Sequence, residues 1–186
     1  MRLFIAVPIP EDLRNCIYRD AVLLKREGIA GSYPVKENYH ITLKFLGEVD
    51  DERARRILPL LRDRFSGFSS FTVEVEGRGV FPGFANPKVV WCGVGEGSDG
   101  LRKMHGIVEE AMDELGFERD DREFHPHITL GRLKRLNAQQ KRFIREFCAA
   151  TVKHGRFTVE RITLYKSVLA PSGAKYYPLG SVELGR

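Results

Sequence analysis

The tetrapeptide HITL occurs at residues 40–43 and again at residues 127–130. A near-copy at residues 161–164, RITL, keeps the Ile-Thr-Leu part and lacks the histidine. Ile-Thr-Leu is thus ordinary strand sequence rich in β-branched residues, and the two histidines distinguish the first two copies. In a strand, His and Thr point to one face and Ile and Leu to the other. Each copy therefore predicts one polar face and one face that belongs to a core.

A second tetrapeptide, FTVE, recurs in the same order at residues 71–74 and 157–160. The HITL copies start 87 residues apart and the FTVE copies start 86 residues apart. The intervening periodicity predicts strand, helix, strand, helix, strand in each copy. We therefore predict a single bilobal domain over residues 1–186, built from a duplicated unit at about 1–87 and 88–174, with a final strand at 175–184. Two such units are expected to pack about a pseudo-two-fold axis, so that equivalent residues face each other.

Composition limits the class of protein. The chain has 186 residues, of which 42% are hydrophobic and 30% charged, as in globular proteins. Its net charge of +5 favours an anionic partner such as RNA, although many other enzymes are as basic. No run of apolar residues is long enough to cross a bilayer. The three cysteines, Cys16, Cys92 and Cys148, are widely spaced and form no CxxC, which predicts a reducing cytoplasm without a disulfide framework.

Two facing HITL strands would bring two imidazoles and two hydroxyls into one groove. With an unperturbed pKa of about 6.5, one imidazole can be neutral and the other protonated near neutral pH. Hydrolysis of a cyclic phosphate needs this pair, since one group takes a proton from water while the other protonates the departing ribose oxygen. A single histidine on a strand is most often structural or exposed. The recurrence at equivalent positions is what favours catalysis.

The remaining histidines allow one alternative. His125 lies on the same predicted strand face as His127, so with His40 the three could bind zinc. No nearby carboxylate or cysteine completes such a site, and we predict no metal and no cofactor. His105 and His154 are predicted to be surface residues.

Residues 40–47, HITLKFLG, and residues 126–132, PHITLGR, resemble the two HxTx motifs of the two-histidine phosphoesterase superfamily. The similarity is greatest to its RNA 2′,3′-cyclic phosphodiesterase branch, also named 2′-5′ RNA ligase, and it extends over nearly the whole chain. The resemblance implies an α+β (α/β) bilobal fold: two pseudo-symmetric antiparallel sheets with outer helices and the active-site groove between the lobes. It also implies hydrolysis of RNA 2′,3′-cyclic phosphate to a 2′-phosphate. Because some relatives join or open 2′-5′ linkages, ligase activity is an alternative.

The same resemblance assigns roles to individual residues. It implies that His40 and His127 are catalytic, with His40 as acid toward O3′ and His127 as base, although the symmetry leaves the reverse assignment open. Thr42 and Thr129 are expected to hydrogen-bond the phosphate oxygens. Strand alternation also places Lys44 on the same face as His40.

Arg132 matches an arginine that binds the phosphate in similar proteins. Strict alternation along the strand would place it off the His127 face, so Gly131 or a bulge must redirect it. The alternative is a solvated arginine at the end of a strand.

The expected partners are RNA ends or nucleotides with a 2′,3′-cyclic phosphate, bound by a monomer in the cytoplasm and away from membranes. A basic series could follow an RNA backbone or form a solvated face: Arg132, Lys134, Arg135, Lys141, Arg142 and Arg145. Four aromatic residues in or beside turn-rich segments could stack on a base or belong to the core: Tyr39, Phe81, Phe84 and Tyr176. The rival function is a module that holds RNA ends or nucleotides without turnover; intact His and Thr in both motifs favour the enzyme.

Overall fold

The computed structural model describes residues 1–171 and 173–186, and in these ranges the chain forms nine strands and four α-helices. The strands are β1 (Arg2–Pro8), β2 (Gly31–Ser32), β3 (His40–Glu48), β4 (Phe71–Phe81), β5 (Val89–Val94), β6 (His127–Leu133), β7 (Lys153–Val159), β8 (Arg161–Ala170) and β9 (Gly173–Glu183). The helices are α1 (Glu11–Arg26), α2 (Asp51–Arg64), α3 (Ser98–Glu114) and α4 (Ala138–Ala149). No helix in the described ranges is long and apolar enough to span a bilayer.

The strands form two antiparallel sheets, which confirms the predicted fold class. Sheet one has the order β3-β1-β8-β9, and sheet two has the order β2-β6-β5-β4-β7. The two HITL strands, β3 and β6, hold equivalent places beside β1 and β5. The predicted C-terminal strand is β9, which forms an edge of sheet one. Residues 170–174, APSGA, have a composition that favours a turn, and they include Ser172, which lies outside the described residues.

Local sequence explains where the helices begin and end. Helix α1 begins directly after Pro10, with acidic residues in its first turn and basic residues in its last, as the helix dipole favours. A capping box precedes α4: the Asn137 side chain accepts from the Gln140 amide, and the Gln140 side chain accepts from the Asn137 amide.

The helices connect the two sheets. Although α1 follows a strand of sheet one, it contacts β6 and β7 of sheet two. Conversely, α3 follows a strand of sheet two and contacts β3 of sheet one. The second helix of each half stays with its own sheet, since α2 contacts β9 and α4 contacts β4. Each lobe is therefore completed by a helix from the other half of the chain.

The two FTVE copies pair with each other within sheet two. Phe71 lies opposite Val159, and Val73 lies opposite Phe157, in the antiparallel pair of β4 and β7. The division of the chain into two repeats at about residue 87 remains a prediction from the sequence. The strands are not divided between the two sheets at that residue, because β4 precedes residue 87 and belongs to sheet two.

A buried charged cluster joins α1 to sheet two. The Asp20 carboxylate accepts from Arg78 Nε at 2.7 Å and from His154 Nε2 at 2.7 Å, and Cys92 Sγ lies 3.6 Å from its Oδ2. Burial alone would raise the pKa of Asp20, but the hydrogen bonds from His154 and Arg78 lower it below its usual value. The prediction that His154 is a surface residue is wrong: its side chain is 4% exposed. Helix α1 supplies the partner that buries it.

Breaking this cluster should destabilise the fold. Arg78→Met leaves the buried Asp20 carboxylate with His154 as its remaining strong donor, and breaking a buried pair costs about 3–5 kcal/mol. Adding Asp20→Asn removes the unpaired charge and should recover part of that loss. The check is urea unfolding, with Arg64→Met as control, since the half-exposed Arg64–Glu114 pair should contribute about 0–1 kcal/mol. If Arg78→Met and Arg64→Met lose the same free energy of unfolding, the stabilising role of the buried cluster is contradicted.

Candidate active site

The two HITL strands lie next to each other at the junction of the sheets, with β3 in contact with β6. Half-buried, buried and exposed positions follow one another in the same order in residues 40–46 and in residues 127–133. In both copies the histidine and threonine are half-buried, whereas the isoleucine and leucine are buried. The predicted separation into a polar face and a core face is therefore present in both strands.

Both strands also carry a β-bulge at the same place. In β3 the pairing passes from Thr42 to Lys44 and leaves out Leu43; in β6 it passes from Thr129 to Gly131 and leaves out Leu130. An extra residue reverses the alternation from that point onward. The bulge that strict alternation required for Arg132 is thus present.

A groove of about 1070 Å³ lies between the two strands. It is lined on the β3 side by Thr42 and Phe45, and on the β6 side by His127, Thr129 and Arg132. His40 is not itself among the lining residues, but its Nε2 lies 2.9 Å from Oγ1 of Thr42, which is. Phe45 and Arg132 occupy equivalent positions after the two bulges, and the Phe45 residue is 66% exposed. The groove thus has an apolar ring on one wall and a cation on the other.

The two histidine rings are held by the same hydrogen bond. His40 Nδ1 donates to the Asn38 carbonyl at 2.6 Å, and His127 Nδ1 donates to the His125 carbonyl at 2.6 Å. Because a carbonyl can only accept, Nδ1 carries a proton in each ring. Nε2 is then the atom that can bind or release a proton.

Aromatic side chains pack edge-on against both rings. Tyr176 meets His40 at 5.4 Å between ring centroids with an interplanar angle of 81°, and Phe81 meets His127 at 5.0 Å and 82°. A second ring lies near each histidine: Phe4 for His40 and Trp91 for His127. Two of the predicted stacking candidates, Phe81 and Tyr176, therefore orient the histidines.

The other two aromatic candidates are not among the residues that line the groove. Tyr39 is a core residue, 3% exposed, and Phe84 packs against the Arg145 guanidinium. In the basic series, Lys141 is half-buried and five residues are exposed: Arg132, Lys134, Arg135, Arg142 and Arg145.

Burial lowers the pKa of both histidines. For His40 the loss of hydration dominates and the nearby positive charge of His127 adds to it, so that the pKa falls to about 4 despite the Asn38 hydrogen bond. For His127, burial again dominates, and the charges of His125 and Arg132 also lower the pKa. Both rings are therefore neutral near pH 7 in the ligand-free protein.

The three-histidine alternative has no support in the geometry. His125 is exposed and lies 3.7 Å from a Glu123 carboxylate oxygen. Over residues 1–171 and 173–186, the metal-ligand side chains whose ligand atoms converge are Asp20, Cys92 and His154. Arg78 already binds both oxygens of that carboxylate.

Sequence reasoning misses a second charged group beside the groove. Alternation predicts Lys44 on the His40 face, but the bulge turns it into the protein, where it binds Glu109 of α3 at 2.8 Å. The prediction that His105 is a surface residue is wrong, since its side chain is 16% exposed and its ring stacks on Phe124 at 4.2 Å. The available signals were a lysine between two apolar residues, Leu43 and Phe45, and a glutamate on the apolar side of a helix.

Two antiparallel sheets that meet at paired HxTx strands are the fold of a two-histidine phosphoesterase. The chain belongs to the 2′-5′ RNA ligase superfamily, whose family model matches residues 31–169. It is 37% identical over 184 residues to an RNA 2′,3′-cyclic phosphodiesterase of Archaeoglobus fulgidus, covering 98% of this chain and 100% of the relative.

Solved structures show the same fold. The Thermus thermophilus protein TT0787 matches with a TM-score of 0.82 and 27% identity, over 99% of this chain and 98% of that one. The Escherichia coli LigT structure in apo form matches with a TM-score of 0.78 and 28% identity, over 100% of this chain and 98% of that one.

The low pKa of His40 should make stability depend on pH. Between about pH 4 and 6.5 the unfolded chain binds a proton that the folded ring does not, so the free energy of unfolding should fall as the pH falls through this window. His40→Gln should flatten the dependence by up to about 1.4 kcal/mol per pH unit. Urea unfolding at a series of pH values measures it, and between pH 7 and 8 the difference between variant and parent should be constant. If the free energy of unfolding of His40→Gln has the same slope as that of the parent from pH 4 to 6.5, the low pKa of His40 is contradicted.

Proposed function

We propose that this protein hydrolyses RNA 2′,3′-cyclic phosphate ends to 2′-phosphates without a metal, using His40 and His127 as a proton-transfer pair. The observation that carries the proposal is the matched hydrogen bond at Nδ1 of both rings, which leaves Nε2 as the atom that can exchange a proton. His127 lines the groove, and Nε2 of His40 lies 2.9 Å from Oγ1 of Thr42, which also lines it. The relatives named RNA 2′,3′-cyclic phosphodiesterase support the substrate class. A solved Escherichia coli LigT structure, 26% identical to this chain, is complexed with 3′-AMP and supports a nucleotide ligand.

In the proposed reaction, neutral His127 takes a proton from water while the water oxygen bonds to phosphorus. The bond from phosphorus to O3′ breaks, and protonated His40 gives its proton to O3′, so that the phosphate stays on O2′. The hydroxyls of Thr42 and Thr129 and the Arg132 guanidinium bind the non-bridging oxygens, where negative charge develops. The opposite assignment of acid and base uses the same groups.

Substrate binding favours the uptake, from solvent, of the proton that the acid needs. Burial keeps His40 neutral in the free protein, but an anionic phosphodiester beside the ring favours its charged form. Protonation of His40 and binding of the phosphate are therefore coupled events.

The exposed ring of Phe45 offers a flat surface on which the terminal base can stack. The charge of Arg132 on the opposite wall suits the phosphate.

The proposed setting is the cytoplasm, with the protein acting as a monomer on RNA ends or nucleotides. Cys16, Cys92 and Cys148 are free thiols in the structure, which suits a reducing compartment.

The activity is tested with a short RNA that ends in a 2′,3′-cyclic phosphate, incubated with the purified protein in EDTA. We expect conversion to a 2′-phosphate at an undiminished rate, identified by ³¹P NMR. Binding of the RNA without turnover would instead favour the end-binding module. A 2′-5′ linked product, after addition of RNA with a 5′-hydroxyl, would favour the ligase.

The histidine pair is tested with His40→Ala, His127→Ala and the double variant. Each single change should lower the rate by about 10²–10⁴. The double variant should lose much less than the product of the two losses, because groups that act as a unit are not additive. Arg132→Ala should chiefly weaken phosphate binding and leave the shape of the pH profile unchanged.

Circular dichroism provides the folding control for all four variants. A folded double variant that hydrolyses the cyclic phosphate at the parent rate would exclude the two-histidine mechanism.

A further inference from the structure

Residues 116–125, here called the groove wall, connect α3 to β6. Nearly all of them border the groove. The wall ends at His125, whose carbonyl accepts the Nδ1 proton of His127. The position of the wall therefore bears on the orientation of one of the two histidines.

The wall is attached to the opposite HITL strand through Lys44. Lys44 Nζ donates to the carbonyl of Glu118 at 2.8 Å and to both carboxylate oxygens of Glu109 at 2.8 Å. All three ammonium protons thus have acceptors. Lys44 stands two residues after Thr42, at the bulge of β3.

Glu109 makes the second attachment. Its Oε2 accepts from the backbone amide of Asp120 at 3.2 Å, and His105 Nε2 lies 3.5 Å from its Oε1. His105 stacks on Phe124, another residue of the wall. Three points of the wall, at 118, 120 and 124, are therefore held by one buried group of charged and aromatic side chains.

A buried ion pair is a poor source of stability. The Lys44 and Glu109 side chains are 4% and 8% exposed, and the cost of removing both charges from water offsets most of their attraction. Replacing such a pair by uncharged side chains of similar size is often neutral for stability. What an uncharged side chain without a donor at position 44 would not reproduce here is the directed bond to the backbone carbonyl of Glu118.

We propose that Lys44 and Glu109 are positioning residues that fix the groove wall against β3 and so set the relative placement of the two HxTx motifs. The expected effect on catalysis rests on the proposed function, whereas the expected effect on the position of the groove wall does not. Lys44 acts next to the first motif, and the wall carries the effect through His125 to the second. Neither side chain takes part in proton transfer.

The test is the double variant Lys44→Met/Glu109→Gln. The side-chain amide introduced at position 109 keeps an oxygen for the backbone amide of Asp120, while the charges and the bond to Glu118 are lost. We expect the melting temperature of the double variant to stay within about 5 °C of that of the parent. Amide exchange in residues 117–125 should become at least about tenfold faster, and kcat should fall at least about tenfold. Lys44→Met alone, which leaves a buried carboxylate without its cation, should melt at a lower temperature than the double variant.

The matched control is Arg78→Met/Asp20→Asn, which removes both charges from the buried pair of sheet two, away from the groove. It should leave both kcat and the exchange of the wall unchanged. If Lys44→Met/Glu109→Gln has the same kcat and the same exchange rates in the wall as the parent protein, the proposal is overturned, since the pair would then be structural only.

The parent protein provides a measurement that does not depend on a variant folding. The amide of Asp120 should exchange much more slowly than an unstructured amide, because its proton is bound to Glu109. Unprotected exchange there would overturn the proposal. Exchange is read without any substrate, so an inactive parent protein would count against the proposed function and not against this inference.

Discussion

The β-bulge that follows each HxT sequence is the constraint on which the site depends. Without it, a seven-residue strand would alternate strictly, and Arg132 would lie on the opposite face from His127. One extra residue keeps the leucine in the core, turns the next position inward and returns the following one to the groove. The same backbone feature in both strands produces two different results, because the side chains after the bulge differ. One lobe gains Phe45 in the groove and Lys44 in the interior, whereas the other gains Arg132 and a glycine.

The exchange of helices between the lobes explains how two catalytic strands on different sheets can be held together. Helix α1 begins after a strand of sheet one and packs on sheet two, and α3 does the reverse. Relative movement of the lobes would have to displace these helices from apolar surfaces that bury Ile17 and Leu101 completely. The cluster of Asp20, Arg78 and His154 adds directed hydrogen bonds at one of these contacts. A proton-transfer pair needs such a fixed frame, since its efficiency depends on reacting atoms being placed before the reaction.

Much of the fold could be predicted because its signals are local. The two HITL copies, the alternation around them and the capping box before α4 are patterns within a few residues of sequence. The errors concern side chains whose partners are distant in sequence. His154 is buried by Asp20, 134 residues away, and Lys44 is buried by Glu109, 65 residues away. No local pattern distinguishes such a residue from a solvated one. The bulge in β6 could be deduced as a requirement for Arg132, whereas nothing in the sequence around Lys44 demands the matching bulge in β3.

In the proposed mechanism, the electrostatics of the groove explain why the two histidines need the substrate to become an acid and a base. Two imidazoles that share a poorly hydrated groove disfavour each other's protonation, and the charge on His127 lowers the pKa of His40. In the free protein both rings are consequently bases, and an acid–base pair does not yet exist. A bound phosphodiester anion favours the charged form of the ring nearest to it. The residues after the two bulges, Phe45 on one strand and Arg132 on the other, differ in charge. Burial lowers the pKa of His40 to about 4, and burial together with the charges of His125 and Arg132 lowers that of His127, so neither ring of the free protein is favoured as the acid by these shifts alone. Pseudo-symmetry in the backbone thus supplies two equivalent histidines, and asymmetry in the side chains after the bulges gives them different surroundings.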